Sequence, residues 1–430
     1  MRTLAFGSAA YRRWLARLPR ASAPRTAVVR EAEAVVRAVR DGGDAALVRF
    51  TARFDGVKLT PARLRVRPAE IRALAERADP AVVEALARMA RRIEAYHRRQ
   101  LTTGFRTRLD DGSLLEESVR PLASAGLYVP GGRGAYPSSV LMGAIPARVA
   151  GVPRLVIVTP PRTLEQNPAV AAAIAVAGAG EHVYRIGGAQ AVAALAYGTR
   201  TVPKVDKIVG PGNAWVAAAK RAVRGQVEID TDAGPSEVVI LADATADAGF
   251  VAADLLAQAE HGSGDETVVL VTPSRELAAE VARLVGEGRS SVANRASTKR
   301  ALARNAAVLL VRDLAEGVGA VNALAPEHVE VLTRGAARLA RGIVAGAVFV
   351  GPFSPVAVGD YGIGPNHVLP TGGSARFASP LSVRDFQRRS SVVTLSRKGL
   401  ARVAEDVVRV AMAEGFRGHA QSVLTRFEGI

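Results

Sequence analysis

The chain has 430 residues, 49% of them hydrophobic, with 57 Lys and Arg against 40 Asp and Glu and no Cys. Length and composition describe a folded chain of two or three domains with large cores, and exclude global disorder. The missing thiol excludes a disulfide framework, thiolate zinc fingers, iron–sulfur clusters and a cysteine nucleophile, so any metal falls to His, Asp, Glu or a neutral oxygen.

In chain order, the first 25 residues carry six Arg and no acid, a composition shared with transit peptides. Arg is dense along the whole chain, however, and Tyr11-Arg-Arg-Trp-Leu-Ala-Arg-Leu reads as an amphipathic helix, so a cytoplasmic protein is expected. Val28, Val29, Ala32, Val35, Val36 and Val39 have helical spacing that stops at Asp41-Gly42-Gly43. Further helices are predicted over about 68–78 and 80–100. After Arg120 the pattern becomes short strands (126–129, 155–158, 183–186, 207–209) alternating with helices (169–179, 189–197, 213–223). The rhythm resumes with a nearly continuous apolar strand from Glu237, a helix over 247–260, and strands at 268–272, 307–311 and 347–350. This alternation is the βαβ pattern of parallel sheets, and two Rossmann-like halves are expected.

No segment is apolar for the 18–20 residues or so that cross a bilayer, the longest being the Ala-rich run at 169–180. The net charge of +17 suits a polyanion partner. Yet aromatics are only 5% of residues and the Arg are spread from Arg2 to Arg426, without the stacking platforms of a nucleic-acid groove. Specific nucleic-acid recognition is not expected; adhesion at low salt is. Neither G-x-G-x-x-G nor G-x-x-x-x-G-K-[ST] occurs. Glycines instead crowd strand ends at Gly131-Gly132-Arg133-Gly134, Gly187-Gly188 and Gly210-Pro211-Gly212, serving either tight turns or close approach to a phosphate.

Four polar constellations stand out. In Asp254-Leu-Leu-Ala-Gln258-Ala-Glu260-His261, Gln258 and His261 share a helix face near its end, within reach of one ion. Taken alone, that spacing more often marks a solvated helix end with a His favoured by the dipole. Pro326-Glu327-His328 joins a proton acceptor to a water activator after a Pro turn, although an exposed Glu beside a capped His is the commoner case. Gly359-Asp360-Tyr-Gly-Ile-Gly-Pro-Asn-His367 is a glycine-rich loop with an acid and a His, equally suited to function and to a structural turn. Glu414-Gly-Phe-Arg-Gly-His419 lies near a terminus, where fraying is usual. Together His261, Asp360 and His419 form an N/O/N set for Zn²⁺, with Gln258 as a neutral oxygen donor. The residues alone thus describe an α/β metalloenzyme of open reaction.

These segments resemble the L-histidinol dehydrogenase family. The resemblance is carried by GLYVPGGRGAYPSSVLMGAIPARVAGV, IGGAQAVAALAYGT, VDKIVGPGN, IDTDAGPSEV, DLLAQAEH, APEHVEV and GDYGIGPNHVLPTGGSARFASPLSVRDF, and runs from about residue 25 to the C-terminus. It implies a four-electron oxidation of L-histidinol through bound L-histidinaldehyde to L-histidine, with two NAD⁺ in succession, closing histidine biosynthesis. It also implies one Zn²⁺ per subunit on Gln258, His261, Asp360 and His419. His328 would take the alcohol proton and serve again in the second oxidation, while Glu327 would activate water. Substrate contacts would be Ser236, His367 and Glu414 beside Gln258, His261, His328, Asp360 and His419, and NAD⁺ contacts would be Tyr128, Gln190 and Asn213. The implied fold is two incomplete Rossmann-like α/β domains with small terminal arms, in an intertwined homodimer whose C-terminal arm reaches the partner's site. The implied boundaries are an N-terminal helical arm at 1–24, a large domain at 25–126 and 237–381, an inserted domain at 127–236, and a C-terminal arm at 382–430.

Gly143 stands where the family pattern leads to Asn, Ala323-Leu324 where bulkier polar pairs are common, and the net charge is unusual for the family. None of these removes a proposed ligand or base. Two alternatives stay open at this level: a relative that oxidises another polar alcohol, and a nucleic-acid-associated second activity.

Overall fold

Runs such as Val238, Val239, Ile240 and Leu241 are buried on both faces, the condition that parallel strands meet when helices cover each side of the sheet. The computed structural model describes residues 1–18, 26–131, 136–231 and 234–427. The turn residues Gly132, Arg133 and Gly134 and the arm boundary at 24/25 lie outside these. The chain divides into two units, Met1–Gln100 with Leu122–Phe386 and Leu101–Pro121 with Gln387–Ile430.

The first unit holds two six-stranded sheets. One runs Arg2–Ala5, Ala307–Leu310, Thr267–Thr272, Glu237–Ala242, His328–Leu332, Ala347–Val350, all parallel. The other runs Arg65–Val66, His182–Arg185, Arg154–Thr159, Ser124–Tyr128, Lys207–Val209, Glu228–Ile229, parallel except for its antiparallel first edge. Without Arg2–Ala5 and Arg65–Val66, the chain order in both sheets is 3-2-1-4-5. That is the doubly wound dinucleotide-binding order less its last strand, with a topological switch between the first and fourth strands.

Helices cover both faces of each sheet. On the first, Val251, Leu255 and Val281 fill one side, and Tyr11, Trp14 and Val321 the other. On the second, Ile93, Leu141 and Ile174 lie on one side, and Val39, Leu47 and Val192 on the other.

Three expectations are corrected here. The N-terminus is not only a helical arm: Arg2–Ala5 extends the first sheet, and the helix Ala9–Leu15 buries Tyr11 and Trp14 beneath it. The helices between residues 26 and 98 do not pack on the sheet of 237–350; they complete both helical layers of the sheet of 124–229. Residues 101–121 belong to the second unit, which resumes at Gln387 instead of 382. Helical periodicity identifies an apolar stripe but not the sheet that will bury it. The helix expected to stop at Asp41-Gly42-Gly43 does break there: Gly43, at φ 51° and ψ −135°, is not helical and separates two helices within Thr26–Asp55.

Gly143 sits in the buried helix Pro137–Ala150, where a Cβ would stand 2.4 Å from Leu127 Cδ1. A bare helix position thus accommodates a large strand residue. In the second unit, Gln387–Thr394, Leu114–Pro121 and Phe105–Arg108 form an antiparallel sheet, followed by the helices Arg397–Ala413 and Arg417–Leu424. Among the described residues, no helix is long and apolar enough to cross a membrane.

Because Trp14 is a core residue, Trp14→Ala is expected to cost about 3–5 kcal/mol, read by urea unfolding. An unchanged midpoint would return residues 9–15 to the status of a free arm.

Candidate active site

The two sheets present opposite edges to one cavity of about 250 Å³. From the first sheet come groups at the N-terminal strand edge, Ser236, Glu327 and His328, together with His261, Asp360 and His367. From the second come groups beyond the C-terminal strand edge, among them Ser139, Gly210 and Asp230.

Parallel pairing of Glu237–Ala242 with His328–Leu332 puts Val238 opposite His328, so Glu237 lies alongside the Glu327–His328 pair. Its backbone N–H donates to Glu327 Oε2 at 2.9 Å, and its carbonyl accepts from His328 Nδ1 at 2.9 Å. Its own carboxylate accepts from the backbone N–H groups of Glu327 and Gly372. Ser236 Oγ adds a second donor to Glu327 Oε2 at 2.5 Å. A carbonyl can only accept, so His328 carries its proton on Nδ1 and leaves Nε2 as a lone-pair acceptor. Burial lowers the His328 pKa, opposed by the nearby Asp360 charge. Burial also pushes Glu327 up to about 7, against the pull of Ser236 and the Glu237 N–H. Such a carboxyl changes protonation near neutrality, as a water-activating base requires.

The turn that delivers this pair is strained. Ala325, which ends the helix Leu314–Leu324, has φ 45°, and no other non-glycine among the described residues has a positive φ. A Cβ disfavours that conformation by roughly 1–2 kcal/mol, and Pro326 follows directly.

Asp360 closes the short helix Val356–Asp360, whose first N–H is held by the buried Glu330 at 2.7 Å. Burial raises the Asp360 pKa, offset by His328 and His261. His367 Nδ1 donates to the Asp360 carbonyl at 3.1 Å and its Nε2 accepts from Ser139 Oγ at 3.3 Å. Burial pushes His367 down to about 4, so the ring is neutral. His261 is exposed just past the helix Ala248–Ala259, and Gln258 is buried on its last turn with an amide nitrogen that has no partner. Glu414 and His419 lie exposed in the second unit.

A separate cavity of about 750 Å³ is lined by Tyr128, Gln190 and Asn213 with Phe54, Asp55 and Trp215. Tyr128 closes its strand, and its hydroxyl accepts from the Gly188 N–H at 3.1 Å. Burial raises Tyr128 to about 12, so it stays a phenol. Asn213 caps the helix Ala214–Val223. Two helix N-termini, at Gly188 and Ala214, therefore follow strands of this sheet, a setting that favours a phosphorylated ligand.

A family model described as histidinol dehydrogenase matches residues 18–427. The histidinol dehydrogenase of Listeria innocua is 43% identical over 402 residues, 93% of either chain. That of Halalkalibacterium halodurans is 46% identical over 397 residues, 92% of either chain. The crystal structure of histidinol dehydrogenase from Elizabethkingia anophelis superposes with a TM-score of 0.92 at 32% identity, covering 100% of this chain and 98% of that one. The chain belongs to the histidinol dehydrogenase family. It is accordingly an NAD-dependent oxidoreductase of the alcohol/aldehyde class.

Among the described residues, no three His, Asp or Glu converge as a metal cluster. Imidazole from His261, carboxylate from Asp360 and the amide of Gln258 are nonetheless donors that suit Zn²⁺. The unpartnered buried amide end of Gln258 fits a missing ligand, since amide O and N are interchangeable by a flip. Of the site residues that the histidinol dehydrogenase resemblance implied, Ser236, His261, Glu327, His328, Asp360 and His367 share the smaller cavity, and Tyr128, Gln190 and Asn213 share the larger. Sequence reasoning missed Glu237, read only as a strand residue, and the pair of Lys220 and Asp230. Lys220 Nζ donates to Asp230 and to the Gly210 carbonyl, and Asp230 also accepts from the Gly210 N–H at 2.7 Å. Both side chains are buried, and together they hold the Gly210-Pro211-Gly212 turn that leads to Asn213. The only signal was a lone Lys in an Ala-rich helix.

Lys220→Met leaves Asp230 charged and buried without its cation and is expected to cost about 3–5 kcal/mol. Urea unfolding checks it, and a loss below 1 kcal/mol or so would show that backbone N–H groups alone suffice for Asp230.

Proposed function

We propose that the protein oxidises L-histidinol through bound L-histidinaldehyde to L-histidine, with two hydrides passed in succession to NAD⁺, as the closing steps of histidine biosynthesis in the cytoplasm. The observation that carries this reading is the buried Glu327–His328 pair, with its imidazole Nε2 free, in a cavity also lined by His261, Asp360 and His367.

In this reading, His328 Nε2 takes the hydroxyl proton while the carbinol hydride leaves, which yields the aldehyde and the first NADH. Glu327 then removes a proton from water as its oxygen adds to the aldehyde carbon and returns one to the forming alkoxide. His328 takes the proton of the hydrate as the second hydride leaves, giving the carboxylic acid. One histidine with its proton on Nδ1 can serve in both oxidations because its geometry, held by Glu237, does not depend on the substrate's oxidation state.

Gln258, His261 and Asp360, with the partner subunit's His419, would hold Zn²⁺. The ion supplies positive charge that orients the substrate imidazole and amine, and it exchanges no electrons. Ser236, His367 and Glu414 complete the substrate contacts. Tyr128, Gln190 and Asn213 hold NAD⁺ on the second, Rossmann-like sheet. The homodimer reading is supported by exposed Val403, Val407 and Val410, spaced along one face of the helix Arg397–Ala413.

With limiting L-histidinol, two NADH per substrate are expected, lost on chelation and restored by zinc. A single NADH would mean release at the aldehyde and would remove Glu327 from its role. The pH dependence follows from Glu327. Its raised pKa means that the fold favours the protonated acid. The stabilising contribution is present below the ordinary carboxylate range and is lost as pH rises through about 7. Aldehyde oxidation should therefore rise with pH through about 7 in the wild type, with no such rise in Glu327→Gln. Glu327→Gln should also match or exceed wild-type stability above pH 7, measured by denaturation across a pH series. A wild-type aldehyde profile flat from pH 5 to 9 would contradict the assignment.

A further inference from the structure

Asp55 is the last residue of the helix Thr26–Asp55 and lines the cavity of Tyr128, Gln190 and Asn213. Its position is unfavourable on three counts. A carboxylate at a helix C-terminus opposes the helix dipole. The group is half-buried, and burial alone raises its pKa to about 6. Among the described residues it has no ion pair. The nearest cation along the chain, Arg53, lies over the Phe54 ring at 5.3 Å. Gln190 Nε2 donates to Asp55 at 3.5 Å, the limit of a hydrogen bond, and the buried Tyr128 lies within reach of its charge. Gln190 is itself almost wholly buried, and its Oε1 has no partner. Asp55 therefore lines the cavity as a carboxylate whose hydrogen bond in the described chain, from Gln190 Nε2, is at the limit of length. Buried acceptors in that state are costly unless a ligand supplies donors.

The sheet indicates which part of a dinucleotide supplies them. Gly188 and Gln190 follow the strand His182–Arg185, whereas Gly210, at the wall of the smaller cavity, follows Lys207–Val209. These strands stand three places apart in the sheet order, roughly 14 Å at the usual spacing. A nicotinamide that reaches His328 must enter past Gly210. The end of the cofactor at Asp55 is then the distal one, the adenosine.

We propose that Asp55 selects the dinucleotide, its carboxylate accepting from the vicinal hydroxyls of the adenosine ribose and repelling a 2′-phosphate there. This rests on the NAD⁺ reading of the larger cavity and adds its specificity. A carboxylate suits a cis-diol, which offers two neighbouring O–H donors, and charge repulsion makes the same group a barrier to phosphate.

The test measures binding and turnover separately. Quenching of protein fluorescence, with Trp215 in the cavity wall, gives the Kd of NAD⁺ and of NADP⁺ without any reaction. Steady-state assays with saturating L-histidinol give KM and kcat for both. Asp55→Asn is expected to weaken NAD⁺ about tenfold or more, the loss of a hydrogen bond to a charged group, and to narrow the NAD⁺ over NADP⁺ ratio by at least as much. The loss should fall on Kd and KM while KM for L-histidinol holds, and Asp55→Glu should restore the preference for NAD⁺. Unchanged Kd values in Asp55→Asn would overturn the proposal. So would a wild type that prefers NADP⁺, which would assign the phosphate to Arg53. A wild type that binds NAD⁺ selectively but forms no NADH from L-histidinol would instead overturn the substrate reading and leave Asp55 standing.

Discussion

The arrangement of the smaller cavity depends on one strand register. With Val238 opposite His328, the peptide of Glu237 meets both members of the Glu327–His328 pair, its N–H donating to one and its carbonyl accepting a hydrogen bond from the other. In a parallel ladder a slip by one residue turns every side chain to the opposite face, so the tautomer of the histidine and the support of the glutamate would be lost together. The register is secured by the apolar runs on both strands, which are buried on both faces. Core packing far from the cavity therefore determines which nitrogen of His328 carries a proton.

The same register explains why so much ionisable chemistry is tolerated in a buried place. Glu327 has two donors and lies near neutral protonation, while His328 and His367 are kept neutral by burial, each with Nδ1 on a backbone carbonyl. Backbone groups, which carry no net charge and do not reorganise, do most of this holding. A site stabilised that way does not depend on a charged side chain staying in place, as electrostatic preorganisation requires. Strain at Ala325 adds to the definition of the turn that carries the pair.

Local pattern revealed whatever is local in cause. Strands from 124 onward, their alternation with helices, and the polar motifs around 258–261, 327–328 and 360–367 were legible because hydrophobic period and motif spacing are short-range properties. Family likeness then linked motifs that lie well over a hundred residues apart, such as Gln258 and His419. What stayed hidden was determined by contacts between distant segments. The partners of the helices at 26–98, the edge strand at Arg2–Ala5, and the roles of Glu237, Asp55 and the Lys220–Asp230 pair all depend on residues that only the folded chain brings near. Asp55 in particular reads in the sequence as an ordinary polar residue before Gly56, and only its uncompensated place in a cavity marks it.

The two sheets have the same strand order but meet the cavity from opposite ends, one by its N-terminal edge and the other by its C-terminal edge. The buried Glu327–His328 pair therefore sits on one scaffold, and the helix N-termini at Gly188 and Ala214, suited to a phosphorylated ligand, on another. Under the two-hydride reading proposed above, a spent cofactor would be exchanged at the turns of Gly188 and Gly210, on a different sheet from the backbone hydrogen bonds that hold Glu327 and His328. In that reading the separation provides for retention: a reactive half-oxidised intermediate would stay in its holder while its electron acceptor is replaced.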